Sequence, residues 1–302
     1  MGAAAMSYKD ILVCLDPTDA GESRLRLAAA LARRCGARLS AAYILPEEIA
    51  GAPLYGLGPP TGAAWFPATG IAGEGPAPGA DPALRPDIAA GAELAGIIER
   101  RFRSEVQPHR IEGDWHLLGS GESDDLLGLA RTSDLVIFGQ GSPDYHLPTG
   151  YRTDDIILGS GRPTLVVPYA GDFAEIGQRA VVAWDGSREA ARALHDALPL
   201  FQQPASATMV IVRDDPDDFL RDRPSLDRIV RHLGRHGVAA RPEEVVRGQL
   251  AVGDVLLNCA ADFSADMIVA GAYHHSQLRE SLFGGASADL LDRTTLPLLM
   301  SH

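Results

Sequence analysis

The chain of 302 residues is acidic, with 40 Asp and Glu against 27 Lys and Arg and a formal net charge of -13 at pH 7. That balance argues against nucleic acid or an anionic membrane as the main partner, since both demand a basic footprint; one small anion needs only a local nest of amides. The apolar fraction of 46% and charged fraction of 22% are ordinary globular values, and the length suggests two domains of roughly 150 residues.

Residues 9–15 (KDILVCL) are a short apolar run with β-branched members, closed by Asp16-Pro17-Thr18, and read as a buried strand and a turn. Residues 23–34 carry Leu27, Ala30 and Leu31 at helical spacing, and Gly36 stands where a C-cap glycine belongs. Residues 37–45 read as a second strand, so a βαβ unit and a parallel sheet are expected. From 46 to 87 the character changes. Residues 54–79 are crowded with Gly, Pro and Ala and have little period, so a mobile loop, a lid or a disordered insertion is expected there. Helix resumes at 88–106, followed by a strand at 115–118, a helix at 123–131, a strand at 134–138, a short helix at 153–158 and a strand at 164–168.

The pattern then restarts. Residues 179–184 (RAVVAW) read as a strand ending in Asp185-Gly186-Ser187, and a helix follows with Ser187 suited to its N-cap. Strands at 208–212, 244–247, 266–270 and 297–300 alternate with helices at 226–236, 255–263 and 286–293. Segments correspond between the halves: 9–16 with 179–185, 133–139 with 265–271, and 162–168 with the end of the chain. This is one internal duplication. It sets domains at 1–170 and 177–302, with a linker at 169–178 loosened by Gly171 and Gly177. The expected architecture is α/β: two tandem, doubly wound, five-stranded parallel sheets, folded separately and packed through their apolar final strands.

In such a sheet, ligands bind beyond the carboxyl ends of the strands where strand order reverses. In the second half this places the turn at Asp185 together with the segments 271–276 and 283–287. Gly284 and Gly285 open a helix, where backbone amides and the helix dipole can meet an anion, and Ala286 and Ser287 continue its first turn. Asp185 is placed to accept from a ribose or an adenine. The plainer alternatives are a simple turn for the glycine pair and a helix cap for the Asp. Cys14, Cys35 and Cys259 are far apart and odd in number, so buried thiols are expected rather than disulfides or a metal site. His274 and His275 are adjacent and make a poor metal pair. The acidic cluster Asp214, Asp215, Asp217 and Asp218 reads as a solvated face, and as a magnesium site only if ATP is present. No nucleophile elbow or P-loop sequence occurs, so no catalytic residue is assigned.

At these residues the chain resembles a tandem member of the universal stress protein family. The resemblance rests on the strand-plus-Asp openings ILVCLDPTD and VVAWDGSRE, on DMIVAG, and on GAYHHSQLRESLFGGAS ahead of a terminal Pro-apolar strand. It covers nearly the whole chain except 54–79. It implies a Rossmann-like fold of the adenine nucleotide alpha hydrolase type. In the ATP-binding branch, a glycine is followed three positions later by another and thirteen positions later by a Gly-Ser or Gly-Thr pair. Here Gly284 stands thirteen positions after Gly271, while His274 takes the second glycine's place and Gly285 that of the hydroxyl residue. The resemblance thus implies Asp185, Val212, Gly271 and Gly284 as nucleotide contacts. The first half departs further. Its loop from Gly139 to Gly150 is two residues shorter, Tyr151 replaces the hydroxyl residue and Pro17 replaces the glycine after the Asp. The expectation is a cytoplasmic stress-response regulator with ATP as the candidate ligand of the second half and the first half empty. Its protein partner is not specified, and pairing of final strands within the chain or in a homodimer is expected. The alternatives are a ligand-free interaction scaffold and, less favoured, a weak nucleotide hydrolase. The start of the chain has neither the basic region nor the apolar run of a signal peptide, and no window approaches the roughly 18 apolar residues of a membrane span.

Overall fold

The computed structural model describes residues 7–45, 86–119, 123–141, 153–214, 223–272 and 285–302. The first half runs β1 (Asp10–Leu15), α1 (Asp19–Cys35), β2 (Arg38–Ile44), α2 (Pro86–Val106), β3 (Trp115–Leu118), α3 (Ser123–Arg131), β4 (Leu135–Gly139), α4 (Thr153–Ser160) and β5 (Thr164–Val167). The second repeats the order: β6 (Arg179–Ala183), α5 (Arg188–Ala197), β7 (Ala205–Arg213), α6 (Arg223–Arg235), β8 (Val238–Val246), α7 (Val252–Asp262), β9 (Met267–Gly271), α8 (Gly285–Arg293) and β10 (Leu298–Ser301). The segment 54–79 lies outside the described residues.

Strand order in each half is 3-2-1-4-5, parallel throughout, so the order reverses between β1 and β4 and again between β6 and β9. The expectation of two separate sheets is corrected. The halves join into one ten-stranded sheet, β3-β2-β1-β4-β5-β10-β9-β6-β7-β8. The junction is antiparallel, with Leu298 opposite Val166 and Leu299 opposite Leu165. Both final strands are short, apolar and fully buried. Left as edges they would each present unpaired N–H and C=O groups, and pairing them satisfies both sets at once. The pairing through final strands therefore holds, but by hydrogen bonding edge to edge.

An antiparallel pair in a flat register keeps the same face of both halves up. One core accordingly runs unbroken beneath α1, α2, α5 and α6, taking Ile11, Val13 and Ile137 from one half and Val182, Met209 and Val269 from the other. On the opposite face α3 and α4 cover the first half through Leu126, Ala130 and Ile156, and α7 and α8 cover the second through Val255, Leu256 and Leu290. Tyr8 donates its hydroxyl to the Asp196 carbonyl, and Arg34 donates to the carbonyls of Ile176 and Leu200 at 3.0 and 2.8 Å, tying α1 to the end of α5.

The duplication extends to single hydrogen bonds. Asp134, just before β4, accepts from the amides of Lys9 and Asp10, and Asp266, just before β9, accepts from those of Gly177, Gln178 and Arg179. Gly177 of the linker is held in place rather than loosening the chain. Gly177 has φ 95°, and a Cβ there would overlap the Leu200 carbonyl oxygen; its own carbonyl accepts from Gln202 at 2.8 Å. Close approach, not freedom, is what requires glycine there. β8 runs nine residues from Val238, well beyond the expected 244–247. All three cysteines are free, Cys14 and Cys259 buried and Cys35 partly so.

Candidate functional site

Two crevices follow from the topology, one beyond the carboxyl ends of β1 and β4 and one beyond those of β6 and β9. Because β5 and β10 are antiparallel, they open at opposite edges of the sheet. Their floors are built alike. Each first strand is followed by an Asp, Asp16 directly after β1 and Asp185 two residues after β6, and the helix that comes next is capped two residues further on, by Thr18 accepting from the Gly21 amide and by Ser187 accepting from the Ala190 amide at 3.0 Å. Each Asp also accepts from the amide of its cap residue, Thr18 at 3.0 Å and Ser187 at 2.9 Å. The helix-cap reading of these Asp residues thus has a concrete form: they hold the turn that starts the helix.

The two carboxylates otherwise live in different surroundings. Asp16 is 10% exposed and forms an ion pair with Arg24, whose side chain is 4% exposed. Arg24 Nε also donates to the Cys14 carbonyl at 2.8 Å. Burial pushes the Asp16 carboxyl up, but the Arg24 guanidinium and the hydrogen bonds from Thr18 outweigh it and hold it below the usual carboxylate range. Asp185 is exposed. Counting six residues on from the cap in each half reaches Arg24 in the first and Ala193 in the second, so the cation has no counterpart there.

Gly271 closes β9 against α5. A Cβ there would strike the backbone of Glu189 and Ala190, so glycine lets the helix start lie directly on the strand end. Its packing role is explicit whether or not a ligand also approaches it. Val212 is half-buried near the end of β7 and packs against the core under α7 and α8. Gly285 is the first residue of α8, Ala286 follows in the same turn, and Ser287 is buried there. Since α8 leads back to the start of β10, its N-terminus lies at the carboxyl edge, on the same side as Asp185. His274 and Gly284 lie outside the described residues, as do Gly150, Tyr151, Asp215, Asp217 and Asp218. Asp214 forms an ion pair with Arg247.

Two residues at the crevices escaped the sequence reading. Glu189, in the first turn of α5, is 4% exposed and forms an ion pair with Arg188, and its backbone and Cβ lie against Gly271 at the end of β9. Gln140, directly after β4, donates to the carbonyls of Leu291 and Asp292 at 3.0 Å each. These belong to the last turn of α8, so a side chain of the first half satisfies orphan carbonyls of the helix whose other end faces the second crevice. Both are ordinary polar residues in sequence, and no spacing rule singles them out.

Among the described residues no group of three His, Cys, Asp or Glu side chains is arranged to hold a metal ion. No helix among them is long and apolar enough to cross a membrane. The molecule is a tandem, doubly wound α/β protein with two switch-point crevices, one closed by an internal ion pair and one with its Asp exposed.

Residues 177–302 match the universal stress protein family. The fold relationship spans both halves. A universal stress protein from Archaeoglobus fulgidus DSM 4304 superposes with a TM-score of 0.64 at 13% identity, covering 97% of this chain and 96% of its own. A putative universal stress protein from Pseudomonas aeruginosa UCBPP-PA14 gives 0.56 at 14% identity, covering 99% and 93%. At these identities the likeness is one of fold. No curated protein matches the chain.

Proposed function

We propose that this is a stress-response regulatory protein that takes one adenine nucleotide, ATP in the first instance, in the crevice of its second half. The observation that carries the reading is the asymmetry of the two crevices. In the first, Asp16 is spent on Arg24. In the second, Asp185 is exposed, Ala193 stands in the arginine's place, and α8 begins at Gly285 on the same edge. The family match of 177–302 supports the same half. Nucleotide binding would act by stabilising the bound state or shifting partner affinity, with no chemistry required of the protein. Asp185 would accept from the nucleoside, and the amides opening α8 would meet phosphate.

Calorimetric titration of magnesium ATP tests this. The expected result is one site per chain, weakened at least tenfold by Asp185→Ala and untouched by Asp16→Ala. Changing His274→Gly together with Gly285→Ser should tighten it about tenfold to a hundredfold, the worth of a hydroxyl bond to a charged phosphate of roughly 1.5–3 kcal/mol. Absence of heat at millimolar ATP would leave the second reading, an interaction scaffold without ligand. Against that reading, the strands β5 and β10 already pair with each other within one chain, so these edges are not free to recruit a partner.

A further inference from the structure

We propose that the switch-point crevice of the first half is a guanidinium-binding site that the chain fills from within, with Arg24 as its tethered ligand. The acceptors converge on a planar fork. The Cys14 carbonyl takes Nε at 2.8 Å, and the Asp16 carboxylate takes Nη2. Nη1 lies over Gly139, where a Cβ would overlap it. Gly21 makes room on the other side, since a Cβ there would overlap the Asp16 carbonyl and carboxylate oxygens. Two glycines on separate elements thus clear space for one ion pair. What remains of the crevice, bounded by Leu15, Ile44, Phe138 and Gln140, is ≈ 20 Å³. That is about enough for a water and far too little for a nucleotide.

The chemistry of the crevice selects a cation. Its inward groups are a carboxylate and a carbonyl, both acceptors. The neighbouring Cys14 thiol is pushed up to about 12 by burial, so it stays neutral and adds no competing charge. A guanidinium suits the site better than an ammonium because its donors lie in one plane and reach the carbonyl and the carboxylate together. The second half has no such plug. At Gly271 the space is taken by the backbone of α5 itself, and Ala193 replaces the arginine. The two halves have therefore diverged in opposite directions from one plan, the first becoming self-occupied.

The consequence is that removing the arginine side chain leaves a preformed hole for the free ion. The experiment uses the full chain carrying Arg24→Ala, with melting followed in millimolar guanidinium chloride against matched sodium chloride. These concentrations lie well below those that denature. Arg24→Ala should melt below the unaltered protein. Guanidinium should then raise its Tm saturably, by about 2 °C or more, while leaving the unaltered protein and the Asp16→Ala, Arg24→Ala double variant unraised. If Arg24→Ala does not fold, Arg24→Lys serves in its place: it keeps the charge, and should melt below the unaltered protein because a point ammonium cannot serve both acceptors. An Arg24→Ala protein as stable as the original, one that guanidinium fails to raise, or an Arg24→Lys protein of undiminished stability would each overturn the proposal. None of these outcomes depends on whether the second half binds a nucleotide.

Discussion

Asp266 is a heavily used carboxylate where the chain enters the second half, and its removal gives a graded test. Its two oxygens accept from three consecutive amides, Gly177 at 2.8 Å, Gln178 at 2.9 Å and Arg179 at 3.0 Å, fixing the chain as it enters β6. Hydrogen bonds to a charged acceptor are each worth roughly 1.5–3 kcal/mol when shielded. Two of these three are exposed to solvent and must be discounted, so Asp266→Ala should cost about 3 kcal/mol. Asp134, the equivalent in the first half, accepts from two amides, Lys9 at 2.7 Å and Asp10 at 3.1 Å, both nearer the chain start. Its replacement by Ala should cost about 2 kcal/mol by the same scale. Asn is no remedy at 266. One of its two terminal atoms is an NH₂ group, which would face an amide that needs an acceptor. The assay is urea unfolding, read as a fall in the midpoint at unchanged slope. Equal costs at the two positions, or an Asp266→Asn variant as stable as the original, would refute the reasoning that the amide clasp holds the junction.

Gly177→Ala should be far more damaging than Gly248→Ala, although both glycines have positive φ. The first meets the Leu200 carbonyl and should cost several kcal/mol, while the second faces open space and should cost only about 1 kcal/mol for its backbone conformation; comparable losses in melts would show that the junction yields. Acid sensitivity should appear in the histidine range. Burial lowers the pKa of His116, and burial with the neighbouring His195, His236 and Arg235 lowers that of His232. The folded protein then binds fewer protons than the unfolded chain once pH drops below about 6.5. Stability is fully present above that pH and declines as the pH falls toward the lowered values. His232→Gln should flatten the decline of the urea midpoint between pH 7.5 and 5.5, and an unchanged slope would exclude His232 as a contributor.

Much of the architecture was written in local pattern. The apolar runs at 10–15, 135–139, 179–183 and 267–271 are strands buried on both faces, and in such strands hydrophobicity alone marks the element. Gly36 adopts φ 62° as a C-cap and Ser187 caps its helix, both as their residue types demand. Failures fall where local pattern is weak. β8 is an edge strand, so Arg241, Pro242, Glu243 and Glu244 can sit in it at little cost, and their polarity hid its first half from any alternation rule. The start of α1 at Asp19 was missed because the apolar period begins later, whereas Thr18 supplies the cap.

The sequence by itself determined the duplication, the parallel strands, the place where their order reverses, and hence which loops face a crevice. These depend on periodicity and turn chemistry, which act over a few residues. It could not determine that the two sheets become one, because that rests on two short edges meeting in register 132 to 136 residues apart in the chain. Nor could it show that Asp16 and Asp185, alike in sequence, are unlike in role. Arg24 reads as one more polar position on a helix. Only when α1 is laid across the ends of β1 and β4, with Gly21 and Gly139 clearing the way, does its guanidinium fall against the Asp16 carboxylate. Desolvation and charge pairing are properties of the packed molecule, and they separate a closed half from an accessible one.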